Sequence, residues 1–294
     1  MTIFRRSATV CALSLAMAAT APTWAEESLF GSSKLLATPG VIQVEGAGGA
    51  GLSTWAMISG YGSNREIGAS AHHTYVTTDD FTLNATGVTV GLFDRVELSF
   101  TRQWFDTGDA GARLGLGEGF NFNQDIVGAK VRLFGDAVYA QDTWLPQVSA
   151  GIQYKKASEG AIVRAVGAED DDGFDYYLAA SKIFLDKSLV VSAAARLTEA
   201  NQFGLLGFGG PNGGHSLQFE GSAVYLLSQD FAVGFDYRTK PDNLAFAEED
   251  DAMAAYVVWL PSKHVTVTGA LTDLGDIALQ GGQQGFYLSL QVGF

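Results

Sequence analysis

The sequence predicts an all-β chain: a transmembrane, antiparallel, up-and-down β-barrel of about fourteen strands. Three observations predict it. Apolar and polar residues alternate with period two in segment after segment. The connections between those segments are alternately short and long, as in outer-membrane barrels. Beyond residue 25 no run approaches the roughly 20 apolar residues of a membrane helix.

Composition agrees. Of 294 residues 36 are Gly, roughly 12% against an average of about 7%. The net charge of −14 argues against a sequence-independent nucleic-acid binder, which needs a basic face.

The N-terminus reads as a secretory signal peptide over residues 1–25. Arg5 and Arg6 are its basic start, Ala8 to Ala19 its apolar run, and Thr23-Trp24-Ala25 its small-residue cleavage site. Cys11 lies early in the apolar run rather than at its end, so lipid anchoring is not expected. The predicted barrel domain, 26–294, then holds 294 − 25 = 269 residues and no Cys, which excludes disulfides and a thiol nucleophile.

The last strand is the cleanest. Phe286, Leu288, Leu290, Val292 and Phe294 share one face; Tyr287, Ser289, Gln291 and Gly293 share the other. In a membrane barrel the first face meets lipid and the second the lumen. The greasy set ending in a terminal Phe also resembles the signal read by the barrel-assembly machinery.

Working upstream, strands are predicted at 286–294, 264–273, 251–260, 231–239, 215–227, 189–198, 174–184, 146–156, 125–134, 95–105, 81–93, 67–77 and 52–61. The stretches around Met57, Leu178 and Val257 are apolar on both faces, and Gly87 suggests a bulge. Thirteen strands would leave the two ends on opposite sides of the membrane, so Leu36–Glu45 is taken as a fourteenth. Twelve results if two weak segments are not strands.

Short turns at 63–66, 93–95, 185–188, 228–230 and 261–264 belong on the periplasmic side. Longer loops at 106–124, 157–173, 199–214, 240–250 and 275–285 belong outside. The strands lack the second greasy face that a soluble sandwich packs into its core. Trp55, Trp104, Trp144, Trp259, Phe93, Phe134 and Phe184 fall near strand ends, where interfacial aromatic girdles form.

Particular stretches carry a likeness to a known family. They are Lys34-Leu-Leu-Ala-Thr, Gln43-Val-Glu-Gly, Gly91-Leu-Phe-Asp-Arg-Val-Glu-Leu-Ser-Phe, Phe105-Asp-Thr-Gly, Asn201-Gln-Phe-Gly-Leu-Leu-Gly-Phe-Gly-Gly and Lys240-Pro-Asp-Asn-Leu. In these the chain resembles the domain of unknown function 3034 family, uncharacterised outer-membrane β-barrels of Gram-negative bacteria. The resemblance implies that location over nearly the whole mature chain and brings no substrate or catalytic residue with it.

Chemistry is sparse. His72 and His73 are adjacent, so on a strand they point to opposite faces and cannot share a metal; His264 and His215 lie at strand ends. Ser70 and His72 share a face without any further element of a hydrolase triad. Gly115, Gly117 and Gly119 lack the strand, helix and Lys of a phosphate loop. Glu169, Asp170, Asp171 and Asp172 form an acidic run that is a weak Ca²⁺ candidate without EF-hand spacing, and a second run spans Glu248 to Asp251. No enzyme activity and no cofactor are expected.

By parity Glu97, Lys130, Arg132, Lys155, Arg196, Glu220, Asp236 and Arg238 face the lumen. Such charges either line a water path or pair across the barrel. The leading expectation is a narrow porin-like channel for small solutes. The alternative is a non-conducting barrel that displays acidic, Gly-rich loops to a partner. The partners expected are outer-membrane lipid and lipopolysaccharide, the assembly machinery and a small solute, with no nucleic acid.

Overall fold

The computed structural model describes residues 29–34, 36 and 40–294; the predicted signal peptide lies outside them. Twelve strands form the wall: β1 Ile67–Thr78, β2 Thr82–Leu92, β3 Val96–Asp106, β4 Asn121–Phe134, β5 Gln147–Ala157, β6 Asp172–Phe184, β7 Leu189–Thr198, β8 Ser216–Leu226, β9 Phe231–Arg238, β10 Ala252–Ser262, β11 Val265–Asp273 and β12 Gln284–Gly293. Each pairs antiparallel with its sequence neighbour, and β1 closes on β12 from Ser70↔Gly293 to Thr78↔Gly285. Closure leaves no unpaired edge, which is what a sheet in hydrocarbon requires.

The alternation is physical. Leu98, Phe100, Val127, Leu178, Leu217, Phe235, Val257, Leu288 and Leu290 stand outside, each about half exposed, while Ser, Thr, Gln and charged residues between them are buried inside. The arrangement inverts that of a water-soluble domain. Trp104, Phe93, Phe134, Trp144 and Trp259 lie on the exterior near strand ends.

Turn chemistry keeps one end tight. Between β2 and β3, Phe93 and Asp94 both take positive φ (55° and 50°), and Arg95 N–H donates to Leu92 C=O at 2.9 Å. This left-handed pair matches the twist of the flanking strands. At the other end the loops fold together. Phe81 and Phe105 stack at 5.1 Å, and with Phe122, Leu205, Leu206, Leu244 and Ile277 they build an apolar cap over the mouth.

Three expectations are corrected. The count is twelve, which the sequence allowed, and the predicted strands that drop out are 36–45 and 52–61: residues 40–45 and 52–61 are not wall strands. Residues 42–50 and 52–62 are instead buried within the lumen. Trp55 therefore belongs to no girdle: it is 3% exposed and packs with Met57, Val190, Val224 and Val258. Gly87 marks no bulge, since β2 keeps register through Gly87↔Thr101; a Cβ there would lie 2.6 Å from the His72 ring. The register shifts fall at Arg132/Phe134 and Trp259/Ser262.

Candidate functional site

The lumen is the candidate site, and it is organised around residues 40–61. This stretch is rich in Gly, Ala and Ser, too small-sided to present a lipid face. It folds into tight internal turns: Gln43 N–H donates to Ala47 C=O at 2.9 Å, Val44 N–H to Gly51 C=O at 3.1 Å and Trp55 N–H to Gly48 C=O at 3.0 Å. Gly46 takes φ +95°, and a Cβ on Gly48 would come within 2.9 Å of Glu97 and 3.1 Å of Lys130. Glycine there allows the backbone to touch an ion pair.

A segment in a lumen cannot satisfy its backbone as a sheet does, so inward side chains must do it. Glu97 accepts N–H bonds from Gly48 at 2.9 Å and Ser59 at 2.8 Å. Glu220 accepts from Thr54 at 2.6 Å, Asp236 from Leu52 at 3.0 Å and Ser181 from Ala56 at 2.8 Å. In the other direction Gln103 donates to Val44 C=O at 2.9 Å, Gln147 to Ala56 C=O at 2.8 Å and Gln291 to Ile42 C=O at 3.0 Å.

The charges close on one another through the segment. Glu45 sits at the centre, paired with Lys155 and, at 2.6 Å, with Arg238. Lys155 also meets Asp175 at 2.7 Å; Arg196 bridges Asp175 at 3.1 Å and Glu220 at 2.6 Å and donates to Thr54 Oγ1 at 2.9 Å. Lys130 pairs with Glu97 at 3.0 Å and donates to Trp55 C=O at 3.1 Å. Buried ions are tolerable only when paired and hydrogen-bonded, and these are both.

Seven of the eight parity-derived residues, Glu97, Lys130, Lys155, Arg196, Glu220, Asp236 and Arg238, are buried in this belt. Arg132 is half-buried at the short-turn end, where it binds Asp94, Asp136 (3.1 Å) and the Gly135 carbonyl (3.0 Å). Burial alone would raise the Asp136 carboxyl; N–H groups of Tyr139 and Val138, and Arg132, hold it below its ordinary value. Parity missed Asp175, which shares the inward face of β6 with Tyr177 and Ala179, and Glu45, which it placed in the wall.

The other candidates are dispersed. Phe286, Leu288, Leu290 and Phe294 are exposed on the outer face, with Val292 in the same row. Asp170 and Asp171 pair with Arg164, Asp172 accepts from Tyr154 O–H at 2.9 Å, and Glu169 is exposed. No group of three or more His, Cys, Asp or Glu among the described residues converges on a metal. Ser70 Oγ and both His72 ring nitrogens are buried without a partner among the described residues, so no Ser–His hydrogen bond forms.

In the cap, Glu249 accepts Gln202 N–H at 3.0 Å. Burial raises Glu249 to about 7, against the pull of Lys240. Lys240, itself lowered by burial, donates to the Leu274 carbonyl at 2.8 Å.

Compared with known proteins, residues 38–291 match the family described as "Protein of unknown function (DUF3034)". No curated protein matches. Among solved structures a KdgM porin superposes with a TM-score of 0.51 at 11% identity, over 76% of this chain and 99% of that one. A second KdgM structure, in complex with disordered oligogalacturonate, gives 0.50 at 11% identity over 76% and 99%. These likenesses concern the barrel fold.

Proposed function

The chain belongs to the DUF3034 family, and from that premise we propose that it is a porin-like barrel of the outer membrane whose small-solute passage is shut at rest by its own residues 40–61. One observation carries this reading: the lumen charges that could line a water path are bonded to the segment or to each other across it. A polar solute would follow the same belt once the segment leaves, exchanging its hydration for Glu97, Lys130, Arg196 and Arg238. The outer-membrane address is supported by the apolar exterior and the alternating last strand. Lipid and lipopolysaccharide outside, and the assembly machinery acting on Phe286 to Phe294, are the partners that go with it. We assign no enzyme activity and no cofactor.

Planar-bilayer recording tests the passage. The whole protein is expected to be silent and a variant lacking residues 40–61 to give discrete steps. Equal steps from both would refute closure by the segment.

If both stay silent, the second reading stands: a non-conducting barrel that displays its loops. The cap supports that reading, because it is packed as a unit and presents Glu169, Asp170, Glu248 and Asp250 to solvent. Partner pull-down lost on exchanging the 157–171 loop would then identify it.

A further inference from the structure

The lumen segment has a neck, and one side chain ties it. Lys34 N–H donates to the Tyr61 carbonyl at 3.0 Å. Its ammonium donates to the carbonyls of Ile58 at 3.0 Å and Gly60 at 3.1 Å, and pairs with Asp94 at 2.7 Å. An ammonium has three N–H groups, and all three are taken. Two of them draw the ends of the segment together. The third fastens the neck to the turn between β2 and β3. Asp94 is placed there by its left-handed backbone, φ 50°. Its second oxygen meets Arg132, which in turn holds Asp136 at 3.1 Å.

Both limbs beyond the neck are fastened to the start of β1. On one, Ile67 N–H donates to the Leu29 carbonyl at 2.7 Å and Ser33 Oγ to Glu66 at 2.7 Å. On the other, Tyr61 N–H donates to the Phe294 carbonyl at 2.9 Å, and a Cβ on Gly62 would lie 2.5 Å from the Gly68 nitrogen. The segment is therefore a tethered loop, able to leave the lumen by the short-turn end without leaving the protein. Its locks differ in their access to water. The side chains of Glu45 and its partners Lys155 and Arg196 have no exposure. Those of Lys34 and Asp94 keep 15% and 23%, and with Ser63, Arg95 and Tyr139 they line a cavity of about 730 Å³ among the short turns. Salt weakens a pair that solvent reaches and hardly touches a dry one.

We propose that the Lys34–Asp94 pair is the latch of the lumen segment. Broken, it lets residues 40–59 swing out through the short-turn end on their two tethers, and ionic strength on that side sets how often it breaks. The effect on conduction rests on the closed-passage reading; the exposure of the segment does not.

The test reads exposure of the segment in the detergent-extracted protein. Residues 26–294 hold no Cys, so Ser53→Cys in a Cys11→Ser background supplies a single thiol. Ser53 is fully buried in the lumen and its hydroxyl has no partner among the described residues, so the exchange breaks no hydrogen bond. The probe is N-ethylmaleimide, with glutathione correcting for its intrinsic rate. A thiol at that depth reacts only while the segment is out. Lys34→Met, which strands two carbonyls and a carboxylate, is expected to label about tenfold faster, and Asp94→Asn several-fold faster, with heat-modifiable gel migration kept. Asp136→Asn removes a carboxylate from the same cavity without touching the segment and should stay within about twofold of the parent. Raising salt from about 0.05 M to about 0.5 M should speed the parent and leave Asp94→Asn unchanged. A parent-like rate in either Lys34→Met or Asp94→Asn, or a full salt response in Asp94→Asn, would overturn the latch. Bilayer recording separates this result from the fate of the passage. Faster labelling with silence from both Lys34→Met and the protein lacking residues 40–61 keeps the latch and removes the passage. Steps from that deletion with unchanged labelling do the reverse.

Discussion

β12 and residues 52–61 are both stretches that the sequence predicts as wall strands, yet one is wall and the other is contents. In β12 every second residue leaves the protein: Phe286, Leu288 and Leu290 are exposed while Tyr287, Ser289 and Gln291 are buried. Its backbone is bonded on both sides, to β1 and β11. Residues 42–50 and 52–59 have no exposed face, and wall side chains take up their backbone groups. The wall is held by a repeating ladder and a solvent preference. The segment is held by a few irreplaceable, fully buried contacts, so single substitutions should act very differently on the two.

The largest effect is expected at Arg196. Replacing it by Met keeps volume but leaves Asp175 and Glu220 without their shared cation, 3.1 and 2.6 Å away. Breaking a buried network from one side costs about 3–5 kcal/mol. Urea unfolding followed by gel migration should show that loss, and the same variant should raise bilayer conductance if the segment is thereby released. A shift below about 1 kcal/mol would mean that the network is hydrated and the contrast with the wall is false.

On the wall, Leu288→Arg places a cation on the lipid face in the middle of β12, opposite Tyr75 and Gly269. About 2–4 kcal/mol is expected for a cation near the bilayer midplane. The cost should depend on bilayer thickness, as an inward substitution would not. Unfolding in two lipid thicknesses checks it.

This contrast also explains what was legible. Period two fixes which way a strand residue points, so Glu97, Lys130, Lys155, Arg196, Glu220, Asp236 and Arg238 could be assigned inward from spacing alone. Strand ends were readable within a few residues because Gly, Asp and Pro punctuate them. The lodging of residues 40–61 was not legible, because their local spacing suits a strand and does not show that the chain turns back on itself inside the barrel. What separates them is the partner, and Glu45 meets Lys155 and Arg238 from 110 and 193 residues away. The residue types held a hint: Ala47, Ala50 and Ala56 occur where a lipid-facing strand carries Leu or Phe. Trp55 misled for the same reason, since an aromatic beside a turn suits a girdle as well as a lumen. The apolar-on-both-faces stretch near Val257 was visible, but its meaning came only with the partner: the inward Tyr256 and Val258 pack with Trp55 inside the lumen.

The cap above the segment offers a pH test of intermediate size. Glu249 rises from 4.5 to about 7 on burial. Between those values the opened cap releases a proton that the closed cap keeps, so closure weakens as pH rises and levels off above about 7. Linkage puts the change at roughly 2–3 kcal/mol. Amide exchange in residues 199–215 and 239–251 should therefore quicken from pH 5 to 7.5, after correction for the intrinsic rate. Glu249→Gln, which can still accept Gln202 N–H, should flatten the dependence. Persistence of the full dependence in that variant would place the titration elsewhere.

The smallest effect is expected where an ion pair sits on the wall rather than in the belt. Arg102 and Asp125 lie on the outer face 3.5 Å apart, with side chains 44% and 43% exposed. Arg102 also lies 5.8 Å from the Trp104 ring centroid. The charges are the same types as in the Arg196–Asp175 pair, and the separation is only slightly greater. Exposure decides the difference, because neither ion has been stripped of its surroundings and neither is stranded when the other goes. Arg102→Met should cost about 0–1 kcal/mol in the unfolding assay that shows a large loss for Arg196→Met. A cost near that of the buried arginine would mean that the outer row carries a structural load of its own, through a lipid headgroup or phosphate held by Arg102. That load would disappear when unfolding is measured in detergent without lipopolysaccharide.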